Sequence, residues 1–311
     1  MDILHICPAG IATGGTDGIH HLVSELNKCG ANAKILYVNG DLKNPRPKEY
    51  EHYNCDYVTE LPKDFDGYVI FPEIWANQIL EPQYKNCKVM VNWQGVDVYN
   101  WHNPESERGK FLQRTDALHL TVMEYGRDYL ERLNLKPIKV PDCVDDYFFE
   151  HLDYATERKD LVLYNPVGVK LTEFQERVMA RCTSELGIKF KPIEGYTKQE
   201  VKDLFYHSKL YIDFGVFSGR ERLPREAVLC GCCIITSNRG AASYYLDNPI
   251  PDEYKISDID LAIKKIDYVL KNYDTCVIND FAEYRFLLNQ DRFEYHRAVA
   301  HLYKVMEDNY G

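Results

Sequence analysis

The sequence predicts an α/β protein built from two doubly wound, Rossmann-like domains. Three observations predict it. Short apolar runs alternate with stretches of helical periodicity in the first half of the chain, and the same alternation returns in the second. Between them the stretch PDCVDDYFFEHLDYATERK, from Pro141 to Lys159, is rich in Asp and Glu and breaks the rhythm. The length of 311 residues suits two domains, at roughly 150 residues each. Strand–helix alternation implies mainly parallel sheets covered by helices on both faces.

In the first half the expected strands are Ile3–Ile6, Lys34–Val38, Tyr68–Phe71, Lys88–Trp93, Leu118–Val122 and Ile138–Val140. His20–Lys28 reads as a helix with Leu22, Val23 and Leu26 on one face, and Tyr125–Leu133 as another. In the second half the strands are Leu161–Tyr164, Lys189–Ile193, Leu210–Phe214 and Cys233–Thr236. Thr172 with Gln175, and Thr197 with Glu200, have capping-box spacing and start two helices. Arg225–Cys230 begins a further helix, Ile259–Leu270 is amphipathic, and the last thirty residues read as helical. The domains are expected at 1–148 and 149–292, with a terminal helix over 293–311 packing back on the first.

Composition excludes several classes. Hydrophobic residues are 45% and charged residues 27%, ordinary for a globular chain rather than a disordered or collagen-like one. No apolar run approaches the ~20 residues of a membrane helix, and MDILHICPAG lacks the basic start and long apolar core of a signal peptide. The net charge is −11, with 15 basic and 23 acidic side chains in residues 1–150 against 22 and 25 in residues 151–311. An acidic surface repels nucleic acid, so non-specific DNA binding is disfavoured, and an anionic ligand is better sought in the second half. The ten cysteines form no CxxC pair and no zinc-finger spacing, so they read as buried free thiols of a cytoplasmic protein. No metal site is expected.

Two segments carry chemistry. The first strand leads into Thr13-Gly14-Gly15-Thr16-Asp17-Gly18 and then a helix, a turn whose backbone amides can approach a ligand closely. Its spacing is not GxGxxG, so a dinucleotide fingerprint is a poor match. The denser segment is Ile212–Ala227, IDFGVFSGRERLPREA, which leaves a strand and opens a helix. Arg220, Arg222 and Arg225 stand within six residues there. Arginine forks match phosphate oxygens, and a helix start adds oriented amides. A surface network of Arg220, Glu221, Arg222 and Glu226 is the competing reading. A second glycine turn at Gly240 follows the next strand; both turns leave the C-terminal ends of parallel strands, where such sheets bind ligands.

At these residues the sequence resembles the GT-B-fold glycosyltransferases, in particular retaining, nucleotide-sugar-dependent members of a bacterial and viral subgroup. Thr13-Gly14-Gly15 is similar to their glycine loop, and LTVMEYGRDYL from Leu120 to a late strand–helix segment of their first domain. Val140–Phe149 is similar to their interdomain linker, and Glu226–Ile235 to the helix and strand after their donor loop. The resemblance implies two Rossmann-like domains with a cleft between them. It implies transfer of a sugar from a nucleotide-diphosphate sugar to an acceptor hydroxyl, a glycan, a lipid-linked or another hydroxyl compound, with no cofactor. Gly14, Gly15, Lys170, Glu226 and Gly240 would bind the nucleotide-sugar, Glu226 at the ribose and Lys170 at phosphate, while the three arginines are added on their chemistry alone. Ser218 stands eight residues before Glu226, where retaining members often carry Glu.

Strand ends in the first half add Glu73 and Asp97, carboxylates suited to act as general base toward an acceptor hydroxyl, and Trp93, an aromatic face for a sugar. Glu221 is the acidic side chain nearest the vacant Glu position. Glu73 as a helix cap and Trp93 as core are the competing readings. A sugar-nucleotide epimerase, a non-catalytic glycan- or nucleotide-binding module, and a DNA-base glycosyltransferase of viral type remain as alternative functions.

Overall fold

The computed structural model describes residues 1–96, 101, 103, 105–149, 157–166 and 172–309. The chain divides into two compact units, Met1–Asp142 with Phe293–Gly311, and Cys143–Arg292. The division falls a few residues earlier than the sequence rhythm suggests, because Val144 and Phe148 pack into the second unit's core.

The first unit carries seven parallel strands: β1 (Asp2–Pro8), β2 (Asn32–Val38), β3 (Asp56–Val58), β4 (Tyr68–Pro72), β5 (Lys88–Trp93), β6 (Leu118–Thr121) and β7 (Ile138–Lys139). Their order is β3-β2-β1-β4-β5-β6-β7. The order reverses between β1 and β4, which opens a crevice at their C-terminal ends. Central strands buried on both faces read as continuous apolar runs, as in Ile3, Leu4, Ile6 and Cys7 of β1. The edge strand β3 is short and its first two residues are exposed, so no hydrophobic pattern announces it. Helix α1 (Gly14–Lys28) begins six residues before the apolar pattern does. The glycine segment is thus not a loop before the helix but its first two turns, started by a Thr13/Thr16 capping box. Helix α2 (Glu124–Arg132) follows β6.

The second unit has four parallel strands, β8 (Lys159–Tyr164), β9 (Lys189–Pro192), β10 (Ser208–Asp213) and β11 (Cys233–Thr236), in the order β11-β10-β8-β9. Here the order reverses between β8 and β10. The helices are α3 (Glu173–Leu186), α4 (Lys198–Tyr206), α5 (Arg222–Leu229), α6 (Ile259–Lys271), α7 (Tyr273–Asn279) and α8 (Ala282–Asp308). Arg158 ties the unit's N-terminal strand ends together by donating to the carbonyls of Phe205 (2.8 Å), Ser208 (2.9 Å) and Cys230 (2.6 Å). Helix α8 continues from the second unit into the first, where the Tyr68 hydroxyl donates to Met306 O (3.2 Å) and His296 Nδ1 lies 2.5 Å from Glu25.

All ten cysteines are free and nine are buried. Among the described residues no helix is long and apolar enough to cross a membrane, and no group of His, Cys, Asp and Glu could hold a metal ion.

Three histidines are enclosed in the first unit. Burial pushes His5 down to about 3, and His20 and His119 each to about 4. Each ring is neutral and bonded: His20 Nδ1–H to Thr16 O (2.7 Å) with Nε2 accepting from the Tyr37 hydroxyl (2.6 Å), and His119 Nδ1 accepting from Trp93 Nε1–H (3.1 Å). Their folded values lie below the ordinary value of 6.5, so their contribution is complete above pH 6.5 and is lost as the pH falls toward 4 and 3. Glu73, raised from 4.5 to about 7, opposes them between pH 7 and pH 4.5, but three groups outweigh one. The melting temperature is expected to fall by roughly 5–10 °C between pH 7 and pH 4.5, and His20→Asn to flatten that slope; a wild-type profile that stays level would contradict the assignment.

Candidate functional site

In the first unit the crevice between β1 and β4 gathers the start of α1, Glu73 and Gln94. The Tyr50 hydroxyl braces the α1 start, accepting Thr13 N–H (2.9 Å) and lying 2.9 Å from both Thr13 O and Thr16 Oγ1. Gly14 and Gly15 are the first two residues of α1. Gln94, just past β5, donates its side-chain N–H to Gly15 O (3.0 Å) and its backbone N–H to Glu73 Oε2 (3.3 Å). A Cβ on Gly15 would stand 2.9 Å from Gln94 Oε1, so glycine keeps this contact close.

Glu73 follows β4 and is 8% exposed. Burial raises its carboxyl to about 7, against the pull of backbone N–H groups of Glu73, Gln94 and Gly95. A carboxyl that titrates near neutrality suits proton transfer. Gln94 also lines a cavity of ≈ 20 Å³, together with Asn92, Asp142 and Tyr295, among others. That is room for about one water-sized group, and Asn92 Oδ1, itself buried, makes no hydrogen bond there.

The expectation for Trp93 is corrected. Its ring is fully buried, 5.2 Å from the Trp101 ring and 5.3 Å from Phe111, so its faces belong to the core and none is open to a sugar. Asp97 and Lys170 lie outside the described residues.

In the second unit the corresponding crevice lies at the ends of β8 and β10. The chain leaving β10 is held from several sides. Asp213 Oδ1 accepts Gly215 N–H (3.0 Å), Gln175 Oε1 accepts Phe214 N–H (3.1 Å), and the Ser237 hydroxyl donates to Gly215 O (2.5 Å). Gln175 therefore completes only half of the expected capping box: its N–H bonds Thr172 Oγ1 (3.2 Å), but its side chain is given to the β10 turn. Gly240 approaches Phe217 so closely that a Cβ would lie 2.2 Å from Phe217 O, and its φ of +62° adds to the demand for glycine. Ala241 N–H bonds that same carbonyl (2.8 Å).

The three arginines divide by role. Arg225 is 1% exposed and sits within α5, not ahead of it. Its Nε–H donates to Glu221 O (3.1 Å) and an Nη2–H to Arg220 O (2.7 Å), so it shapes the loop. Arg222 is the first residue of α5, and Glu221 is its N-cap without a side-chain capping bond. The Arg220 side chain is 5% exposed and pairs with Asp291 of α8 through one Nη2 (2.6 Å). Its Nε–H is buried and makes no hydrogen bond among the described residues. Glu226 is buried at 9% on α5, one turn on. Asp291, Gln175, Gln94 and Tyr50 belong to these sites and carry no local sequence signal. Only their placement in the fold discloses them.

No protein-family model matches the chain, and no curated protein matches it by sequence. Solved structures do match. HepE of Anabaena, in complex with UDP, is similar with a TM-score of 0.69 and 9% identity, over 99% of this chain and 100% of that one. Sucrose-phosphate synthase from Thermosynechococcus elongatus is similar with a TM-score of 0.65 and 14% identity, over 99% and 98%. A TarM variant from S. aureus, crystallised with fondaparinux, alpha-GlcNAc-glycerol and UDP, gives 0.54 at 11% identity over 78% of this chain. The chain spans about 55% of TarM's length. At such identities the likeness is one of fold: the chain has the GT-B fold of the glycosyltransferases.

The close approach at Gly240 is testable. Gly240→Ala is expected to cost about 1–3 kcal/mol through backbone strain and the clash with Phe217 O. Thermal or urea unfolding reads it; an unchanged midpoint would show that the two loops are not in contact.

Proposed function

We propose that the protein is a glycosyltransferase that moves a sugar from a nucleotide-diphosphate sugar to an acceptor hydroxyl, with retention of configuration and without a metal. The observation that carries this reading is Arg220: an enclosed guanidinium just ahead of α5, with a buried N–H donor that no group among the described residues accepts. A buried unsatisfied donor is costly, and a phosphate oxygen satisfies both the hydrogen bond and the charge. The UDP in the HepE and TarM complexes supports a nucleotide ligand for the shared fold.

In this reading the second unit binds the donor. Arg220 and Arg222 meet the diphosphate at the α5 start, Lys170 adds a cation, and Glu226 takes the ribose hydroxyls. Arg225 holds the loop that carries them, and Gly240 admits the backbone close to the ligand. As the glycosidic bond breaks, negative charge grows on the leaving diphosphate. Fixed cations and helix amides stabilise it without reorganising, which is where such sites gain most of their rate. Glu221 stands beside them as a carboxylate. In the first unit Gly14 and Gly15 bring the α1 amides near the substrate, and Glu73 takes the proton of the acceptor hydroxyl, with Asp97 as a second carboxylate. The free thiols support a reducing, cytoplasmic setting.

Calorimetry with UDP, GDP, ADP, CMP and dTDP tests the reading first. One of them is expected to bind with a millimolar or tighter constant, and no binding by any would overturn it. Arg220→Met is expected to weaken that ligand at least about tenfold with an unchanged circular dichroism spectrum; wild-type affinity would remove Arg220 from the site. Donor turnover then separates the alternatives. Transfer to an acceptor supports the proposal, an isomerised donor without acceptor indicates an epimerase, and binding without turnover indicates a binding module. Salt-dependent binding to duplex DNA would indicate a base as acceptor.

Glu73 gives a pH test. Its carboxyl, raised to about 7, must be ionised to accept a proton. The rate at saturating donor is expected to rise through pH 7, and Glu73→Gln to lower it about 10²–10⁴-fold with nucleotide affinity unchanged. A pH-independent rate, or a fully active variant, would exclude the role.

A further inference from the structure

The second unit holds another cavity, of ≈ 540 Å³, between the segment 252–258 and helix α6. It lies beside the edge strand β11, where Ile256 N–H bonds Thr236 O (2.8 Å), and not at the β8–β10 crevice. Its volume falls within the range of small-molecule sites. One wall is apolar: Ile256 with the outward side chains Leu261 and Tyr268, which are 57% and 48% exposed.

Charged groups line the rest, and most are committed. Lys265 pairs with Glu253 (2.8 Å) and lies over the Tyr254 ring at 4.4 Å. Asp258 caps α6 by accepting Leu261 N–H (2.9 Å). Lys255 differs. Its side chain is 2% exposed, yet the nearest carboxylate oxygen, Asp252 Oδ1, is 3.9 Å away and its residue's side chain is fully solvated. That is beyond hydrogen-bond reach, and among the described residues no other acceptor meets the Lys255 ammonium. An ammonium has three donors; this one makes no hydrogen bond to the described residues and keeps an accessible edge, which a ligand at the cavity it lines can meet. Burial accordingly lowers its affinity for the proton. Lys264 stands at the same cavity as a second cation.

We infer that this cavity is a second ligand site, for a small organic anion whose phosphate or carboxylate is received by Lys255 and Lys264 and whose carbon body lies on Leu261 and Tyr268. The site is separate from the proposed donor site. Occupying it gives the Lys255 ammonium acceptors that the described residues do not.

Pyridoxal 5′-phosphate is a suitable probe, since it joins a phosphate and an aldehyde on a planar ring. The Lys255 amine adds to the aldehyde carbon and water leaves, forming an imine. Borohydride then delivers hydride to the imine carbon, leaving a stable secondary amine that peptide mass spectrometry locates. At substoichiometric probe Lys255 is expected to carry most of the label, with at least about a tenfold preference over other lysines. Excess inorganic phosphate slows the labelling if the site recognises phosphate, and excess benzoate slows it if carboxylate suffices; either supports the site. Lys255→Met, close in shape and thus tolerated in the fold, removes the preferred label, and Lys264→Ala slows labelling several-fold. Label scattered over exposed lysines, or Lys255 left unmodified, would overturn the inference. Protection of Lys255 by a nucleoside diphosphate alone would overturn it too, by assigning the lysine to the nucleotide site. Failure here leaves the nucleotide titrations untouched.

Discussion

Parallel strands cannot be joined by tight turns, and that constraint organises the whole chain. Each strand must return through a crossover before the next begins, so every segment leaving a strand emerges on the same edge of its sheet. Two sheets of this kind give two edges rich in loops and helix starts. Where strand order reverses, neighbouring crossovers run to opposite faces and leave a crevice. The first unit places Gly15, Glu73 and Gln94 at such a point, and the second places Asp213, Gln175 and Arg220 at another.

Polar groups are enclosed in both units, and their treatment separates structure from function. Arg158 and Arg225 are given to backbone carbonyls, which neutralise the cost of their burial and hold loops in place. The histidines of the first sheet stay neutral and bonded. By contrast Arg220 Nε and Asn92 Oδ1 are buried without partners among the described residues. Each such atom calls for an explanation, and at Arg220 a bound anion would supply one. That unmet donor, more than the count of arginines, is what supports the proposed donor site.

Much of the fold is legible in the sequence. The strands Lys88–Trp93 and Cys233–Thr236 agree with it residue for residue, because strands buried on both faces leave unbroken apolar runs. The Thr197/Glu200 box is equally plain, being entirely local. What escapes is non-local. The edge strand β3 is three residues long with a mostly exposed pattern. The first turns of α1 are glycine-rich and carry no apolar stripe. Within the sites the arginine cluster is visible, but not its division of labour: only the fold shows that Arg225 turns back on its own loop and that Arg220 meets Asp291, 71 residues away. Trp93 misleads for the same reason, since a strand-end aromatic looks alike in sequence whether it faces solvent or Trp101.

Arg220 is the residue proposed to receive the diphosphate. Diffraction from crystals grown with the nucleoside diphosphate that binds in solution tests it most directly. A phosphate oxygen is expected within hydrogen-bond distance of Arg220 Nε, with Asp291 still holding the opposite side of the guanidinium. A nucleotide bound elsewhere, with Arg220 as enclosed as before, would contradict it.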